Sequence, residues 1–164
     1  MFSADEVDEG TKLLLEYARI PEEGVVLDMG CGYGVIGVTL AKLNPRLRVY
    51  MIDINPRAVE LARYNARLNR VEDRVVVLQG NLYEPVKGLR FNAIFSNPPL
   101  AAGMRVVEAI VREAPGHLVE GGSLQMVLRK GAERIARLME QVFGGFEVLA
   151  RKKGYTVLYA EYSP

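Results

Sequence analysis

The chain has 164 residues, 49% hydrophobic and 25% charged, enough to bury a core in one domain over residues 1–164 without covalent staples. No apolar run approaches the roughly 20 residues that cross a bilayer, and the acidic stretch from Met1 to Gly10 lacks the pattern of a signal peptide. Cys31 and His117, each the sole residue of its type, exclude an internal disulfide and a zinc site, so a cytoplasmic protein is expected.

The elements alternate. Val25 to Met29 is a β-rich run that ends in a glycine cluster, and Val35 to Leu43 reads as a helix stopped by Asn44-Pro45. Arg48 to Asp53 is the next strand, and Pro56 opens a helix to Leu68 with Val59, Ala62 and Ala66 inward and Arg57, Arg63 and Arg67 outward. Strands follow at Arg74 to Gln79 and Asn92 to Ser96, then a helix from Arg105 to Ala114. Gly121-Gly122 turns into a fifth strand, Ser123 to Leu128, followed by a helix from Ala132 to Phe143. Phe146 to Ala150 and Thr156 to Tyr162 read as a closing antiparallel hairpin. Parallel neighbours need crossover connections, so this alternation predicts an α/β fold with a doubly wound, mostly parallel seven-stranded sheet ending in a hairpin.

Two motifs carry chemistry. The first is Asp28-Met29-Gly30-Cys31-Gly32-Tyr33-Gly34, between strand and helix, where glycines let a ligand approach the main chain. Asp53 ends the next strand 19 residues after Gly34 and can accept hydrogen bonds from the hydroxyls of a ribose. Gly32, Gly34 and Gly37 also satisfy a dinucleotide fingerprint, but that pattern alone is weak. Asp28 would repel a pyrophosphate and suits an ammonium group. S-adenosylmethionine has an ammonium and no phosphate, so the electrostatics favour the methyl donor.

The second motif is Asn97-Pro98-Pro99-Leu100, directly after the fourth strand. Prolines fix the backbone and remove N–H donors, leaving carbonyls and the Asn97 amide facing the site. An exocyclic amine fits such a corner: Asn97 Oδ1 and the Pro98 carbonyl accept its two N–H bonds and hold the nitrogen in line with the methyl group. Positioning and fixed dipoles are then the main catalytic effects.

With both motifs in place, the chain resembles the small-domain methyltransferase family, best known from guanine-N2 methyltransferases of 16S ribosomal RNA. The resemblance runs from Phe2 to Tyr162 and includes Phe2-Ser3, Asp8 and Gly10-Thr11, Asp53-Ile54-Asn55, Lys130-Gly131-Ala132 and Lys153-Gly154-Tyr155. It implies a class I, Rossmann-like methyltransferase fold with S-adenosylmethionine as cofactor. The segment from Phe2 to Thr11 would form a lid over the cofactor. Asp28 and Gly30 would lie near its methionine part, Thr11, Cys31, Gly32 and Gly34 would also contact the cofactor, Asp53 and Ile54 would hold the ribose, and Asn81 with Leu82 would flank the adenine. Asn97 would touch both cofactor and target amine, with Pro98, Pro99 and Leu100 completing the catalytic motif. Two positions depart from the family pattern: Asn81 stands where Asp is frequent, and Leu100 where an aromatic residue often stacks on the base. Some members carry an additional N-terminal domain, so recognition of substrate is expected from the catalytic domain or a partner.

The expected activity is N-methylation of guanine in ribosomal RNA, with RNA as partner and Arg129 and Lys130 touching its phosphates. A net charge of +1 gives no global electrostatic case for nucleic acid, although basic residues gather at Arg129-Lys130 and Arg151-Lys152-Lys153. The alternatives are a protein amide, a DNA adenine or a small metabolite as acceptor, or a non-catalytic cofactor- or RNA-binding module. Cys31 is expected to be a small buried filler, Tyr33 to cover the ligand or pack, and His117 to be solvated.

Overall fold

The computed structural model describes residues 7–164, except for the side chain of residue 100. Strands β1 (Gly24–Met29), β2 (Leu47–Asp53), β3 (Val75–Gln79), β4 (Phe91–Ser96), β5 (Leu118–Leu128), β6 (Glu147–Lys152) and β7 (Tyr155–Glu161) form one sheet. Their order is β3-β2-β1-β4-β5-β7-β6. The first five are mutually parallel, and β7 runs antiparallel between β5 and β6. The expected doubly wound sheet with its closing hairpin is therefore present.

Side chains of a strand alternate between faces, and the helices divide accordingly. Leu27, Ile94, Leu124 and Leu158 pack under α4 (Met104–Glu113) and α5 (Ala132–Phe143). Val26, Val49, Phe95 and Val157 pack under α1 (Glu9–Tyr17), α2 (Val35–Leu43) and α3 (Pro56–Leu68). In α3 the predicted inward residues Val59, Ala62 and Ala66 are buried, and the three arginines are exposed.

Three features depart from the expected elements. Helix α1 is additional: the acidic start conceals an Asp8 N-cap, whose side chain accepts from the Thr11 N–H, and Leu13 and Leu14 are buried. Strand β5 begins at Leu118 and passes through Gly121 rather than starting after it, because Gly121 has φ +81° and the pairing with β4 slips between Phe91 and Ala93. This is a bulge, and Gly121 and Gly122 stay tied to Tyr162 by backbone bonds of 2.8 Å. The hairpin turn is only Lys153-Gly154, with φ of 54° and 82°, the two positive values that suit a tight two-residue connection.

Hydrogen bonds from β5 tie the chain just after α1 to the sheet. Gln125, fully buried in β5, accepts from the Arg19 N–H and donates to the Arg19 carbonyl, both at 2.8 Å. That clamp fixes the chain as it leaves α1. The start of α1, with Asp8 and Thr11, thereby lies at the carboxyl end of β4.

Candidate active site

Strand order reverses between β1 and β4, and a ligand crevice is expected outside the carboxyl ends of strands at such a point. A cavity of about 400 Å³ lies there, lined by Asp8, Gly30, Gly32, Asp53, Asn97, Pro98, Pro99, Val127, Leu128, Arg129 and Tyr155. A smaller one of about 120 Å³ adjoins it and adds Val7, Thr11, Cys31, Tyr33, Val35 and Ile36. The two share Asp8, Gly30, Gly32 and Asn97, so both motifs meet in one place.

The glycine loop is held from behind. The N–H groups of Gly30 and Cys31 both donate to the Ile52 carbonyl at 2.9 Å, and the Gly32 N–H donates to Asp53 Oδ2 at 2.8 Å. Gly30 and Gly32 have φ of +73° and +56°, and a Cβ on either would meet nothing within 4 Å. Their bare backbone faces open space, which a ligand can fill. Gly37 differs: a Cβ there would collide with the Met51 side chain, so this glycine serves the contact of α2 with β2.

Asp28 is fully buried behind the loop and lines neither cavity. The Gly37 N–H donates to its Oδ2 at 2.9 Å, while its Oδ1 has no hydrogen-bond partner among the described residues. Burial pushes the carboxyl up to about 7, against the lowering effect of the Gly37 bond, and the charge of Asp53 adds to the rise. An unmet buried acceptor beside a ligand loop fits a cationic amine. Asp53 is spent partly on the fold, since its Oδ1 also accepts from the Asn55 N–H at 2.9 Å. Each carboxylate oxygen keeps a lone pair for a hydroxyl.

Asn97 is half-buried, and its Nδ2 donates to Thr11 Oγ1 at 2.8 Å and to Asp8 Oδ1 and Oδ2 at 3.2 and 3.3 Å. An ionised carboxylate only accepts, so the NH₂ must face Asp8 and the carbonyl oxygen must face away. Asp8, expected only as part of a lid over the cofactor, is thus a residue of the pocket wall that orients Asn97. Its signal was the N-cap spacing to Thr11, whose N–H donates to Asp8 Oδ1 at 2.8 Å.

Other expected positions separate. Ile54, 66% exposed, and Asn81 and Leu82, after β3, line neither cavity and stand at adjoining strand ends. Gly34 caps α2 with φ +97°. Pro98 is buried and Pro99 exposed, and Leu100 begins a short 3₁₀ turn. Arg129 lines the cavity with its guanidinium 5.3 Å above the Tyr155 ring, whereas the exposed Lys130 lies outside it. Tyr155, missed as a pocket residue, is the one aromatic side chain on the wall of the larger cavity among the described residues. Cys31 is buried, and burial together with Asp28 and Asp53 pushes its thiol far up, as befits an inert filler. Tyr33 lines the smaller cavity. His117 is not simply solvated: it stacks on Tyr83 at 4.5 Å, and its Nδ1 lies 3.1 Å from the Leu89 carbonyl. The expected lid falls partly on residues 2–6, outside the described residues.

No helix among the described residues is long and apolar enough to cross a membrane. The family described as methyltransferase small domain matches residues 1–159. The chain is 40% identical to the uncharacterized protein YbxB of Bacillus subtilis (strain 168), covering 98% of this chain and 82% of that one. It is 38% identical to ribosomal RNA small subunit methyltransferase C of Hamiltonella defensa subsp. Acyrthosiphon pisum (strain 5AT), covering 98% of this chain but 48% of that protein. Among solved structures, the T. thermophilus 16S rRNA N2 G1207 methyltransferase in complex with AdoMet and guanosine superposes with a TM-score of 0.85 at 30% identity. That match covers 98% of this chain and 45% of the other, so the chain spans about half the length of these methyltransferase relatives.

Proposed function

Because this chain belongs to the methyltransferase small domain family, we propose that it methylates the exocyclic amino group of guanine in small-subunit ribosomal RNA, acting in the cytoplasm. The observation that carries this is the Asn97 amide, turned by Asp8 and Thr11 so that its oxygen is left for an incoming amine. The names of the ribosomal RNA relatives supply the guanine and its RNA context.

When bound, S-adenosylmethionine would supply a methyl from a positively charged sulfur, which would leave as a neutral thioether while the methylated nitrogen gives up one proton to solvent. The residues present suit that donor. Bare backbone at Gly30 and Gly32 would admit it, Asp53 would take its ribose hydroxyls, and Asp28, buried behind the loop with an unmet Oδ1, would favour its ammonium by charge. Ile54, Asn81 and Leu82 stand where adenine would extend past the end of β2. Asn97 Oδ1 and the Pro98 carbonyl accept hydrogen bonds from the amine's two N–H groups, hold the nitrogen in line and discourage conjugation of its lone pair into the ring. Because these dipoles are fixed before substrate arrives, they lower the barrier without reorganising. Tyr155 offers an aromatic face where Leu100 offers none, and Arg129 a charge for phosphate.

Mass spectrometry of nucleosides from ribosomal RNA or assembled small subunits, incubated with the protein and labelled methyl donor, tests the assignment. N2-methylguanosine is expected; label on adenine, a protein amide or a metabolite overturns it. Asn97→Ala should cut turnover about 10²–10³-fold while methyl-donor affinity by calorimetry holds. Unchanged turnover in that variant would remove Asn97 from the reaction, and a wild-type chain that binds the methyl donor but never turns over would be a binding module instead of an enzyme.

A further inference from the structure

A second concavity, about 760 Å³, lies outside the site described above, between the first turns of α5 and the outer strand β6. Its walls carry Arg134, Arg137 and Arg151, and its floor carries Phe146 and Val148, each 37% exposed. β6 is the sheet's edge, and α5 covers β7 without reaching over it. Residues 129–153 hold seven Lys and Arg against three Glu, in a chain whose net charge is only +1. Arg134 is partly committed, 2.8 Å from Glu108, and Glu133 is the groove's one acid. Arg137 and Arg151 form no ion pair with the described residues.

The groove adjoins the catalytic cavity. Arg129 lines the cavity and Gly131 the groove; Tyr155 lines the cavity and its neighbour Thr156 the groove. Consecutive strand residues point to opposite faces, so β7 forms a wall between the two. A chain held in the groove would reach Asn97 by crossing the rim at residues 129–131.

Resting on the RNA assignment above, we propose that this groove binds a single-stranded RNA segment flanking the target nucleotide, with phosphates on Arg137 and Arg151 and a base against Phe146. Arginines beside an exposed aromatic ring are what such a strand requires: charge for the backbone and a π-face for a base. A groove that leaves Phe146 and Val148 exposed beside Arg137 on α5 and Arg151 on β6, neither in an ion pair with the described residues, fits an anionic, partly aromatic occupant better than an apolar one.

Fluorescence anisotropy with a labelled single-stranded ribosomal RNA fragment, across a salt series, is the test. Arg137→Ala/Arg151→Ala should lower the slope of log affinity against log salt by about 1.4, two contacts' worth for single strands. Phe146→Ala should weaken binding about fivefold or more at every salt concentration. Methyl-donor affinity by calorimetry should be unchanged in both, which also reports that they fold. If the wild-type chain binds RNA and both variants bind equally well with an unaltered slope, the groove is overturned while the RNA assignment survives. A wild-type chain that neither binds nor methylates RNA overturns both. A wild-type dimer in sedimentation that Val148→Asp dissociates would assign the groove to a second copy and overturn the proposal as well.

Discussion

Asp8 and Asn97, 89 residues apart in sequence, meet at the mouth of the cavity with Asn97 Nδ2 3.2 Å from Asp8 Oδ1. A carboxylate here decides which way round an amide sits, and the amide decides what the cavity can receive. With the NH₂ held by Asp8 and by Thr11 Oγ1, the cavity sees an acceptor. On the proposed function, Asn97 Oδ1 and the Pro98 carbonyl would suit a donor with two hydrogens, such as an exocyclic amine.

Asp8→Asn separates this role from helix capping. Asparagine caps a helix about as well as aspartate, so the melting temperature should be nearly unchanged. The replacement can donate as well as accept, and the Asn97 amide is no longer forced one way. Loss of a charge-assisted bond of about 1.5–3 kcal/mol predicts a fall in turnover of roughly tenfold to a hundredfold. The measurement is kcat with both substrates saturating. Wild-type kcat would show that Asn97 needs no such clamp.

Asp28 should couple methyl-donor binding to pH. Its carboxyl sits at about 7 in the fold against an ordinary 3.8, so the native state holds the proton more tightly than the unfolded chain does. Native stability from this group is fully present below pH ~4 and declines as pH rises to ~7, by on the order of a few kcal/mol. Asp28→Asn should flatten that decline in urea titrations. A bound ammonium favours the charged carboxylate, so methyl-donor binding near pH ~6 should release a proton, and affinity should climb toward pH ~8. Calorimetry in buffers of different ionisation enthalpy reads the proton directly. No release in that range would remove Asp28 from the ammonium site.

Gly37 and Gly30, seven residues apart, should fail differently. Gly37→Ala forces a Cβ against Met51 and should cost about 1–3 kcal/mol of stability, with methyl-donor affinity retained in the folded fraction. Gly30→Ala meets no atom, but at φ +73° it costs about 1–2 kcal/mol and puts a methyl where the ligand's backbone approach lies. Its main effect should be lost methyl-donor binding. Thermal melts and calorimetry on the pair distinguish the two; equal losses of binding would contradict the division.

Local chemistry made much of this protein legible from its residues alone. Strand–glycine–helix patterns, Pro56 at a helix start and the apolar stripe of α3 report short-range preferences, and the sheet with its final hairpin followed from them. The two motifs could be named as a pocket because parallel topology sends successive strand ends to the same edge. The errors lay where distant packing decides. Helix α1 was hidden by its acidic composition and depends on Leu13 and Leu14 finding the sheet. His117 gained a ring partner 34 residues away that no local rule specifies. Pattern put Asn97 in the site and the resemblance put Asp8 and Thr11 in a lid over the cofactor, but only the fold set those two against the Asn97 amide and added Tyr155, because the meeting of strand ends with the N-terminus of α1 is fixed by burial and by the Gln125–Arg19 clamp. Spacing along the chain records which groups are available; which way an amide points is set by what folding packs against it.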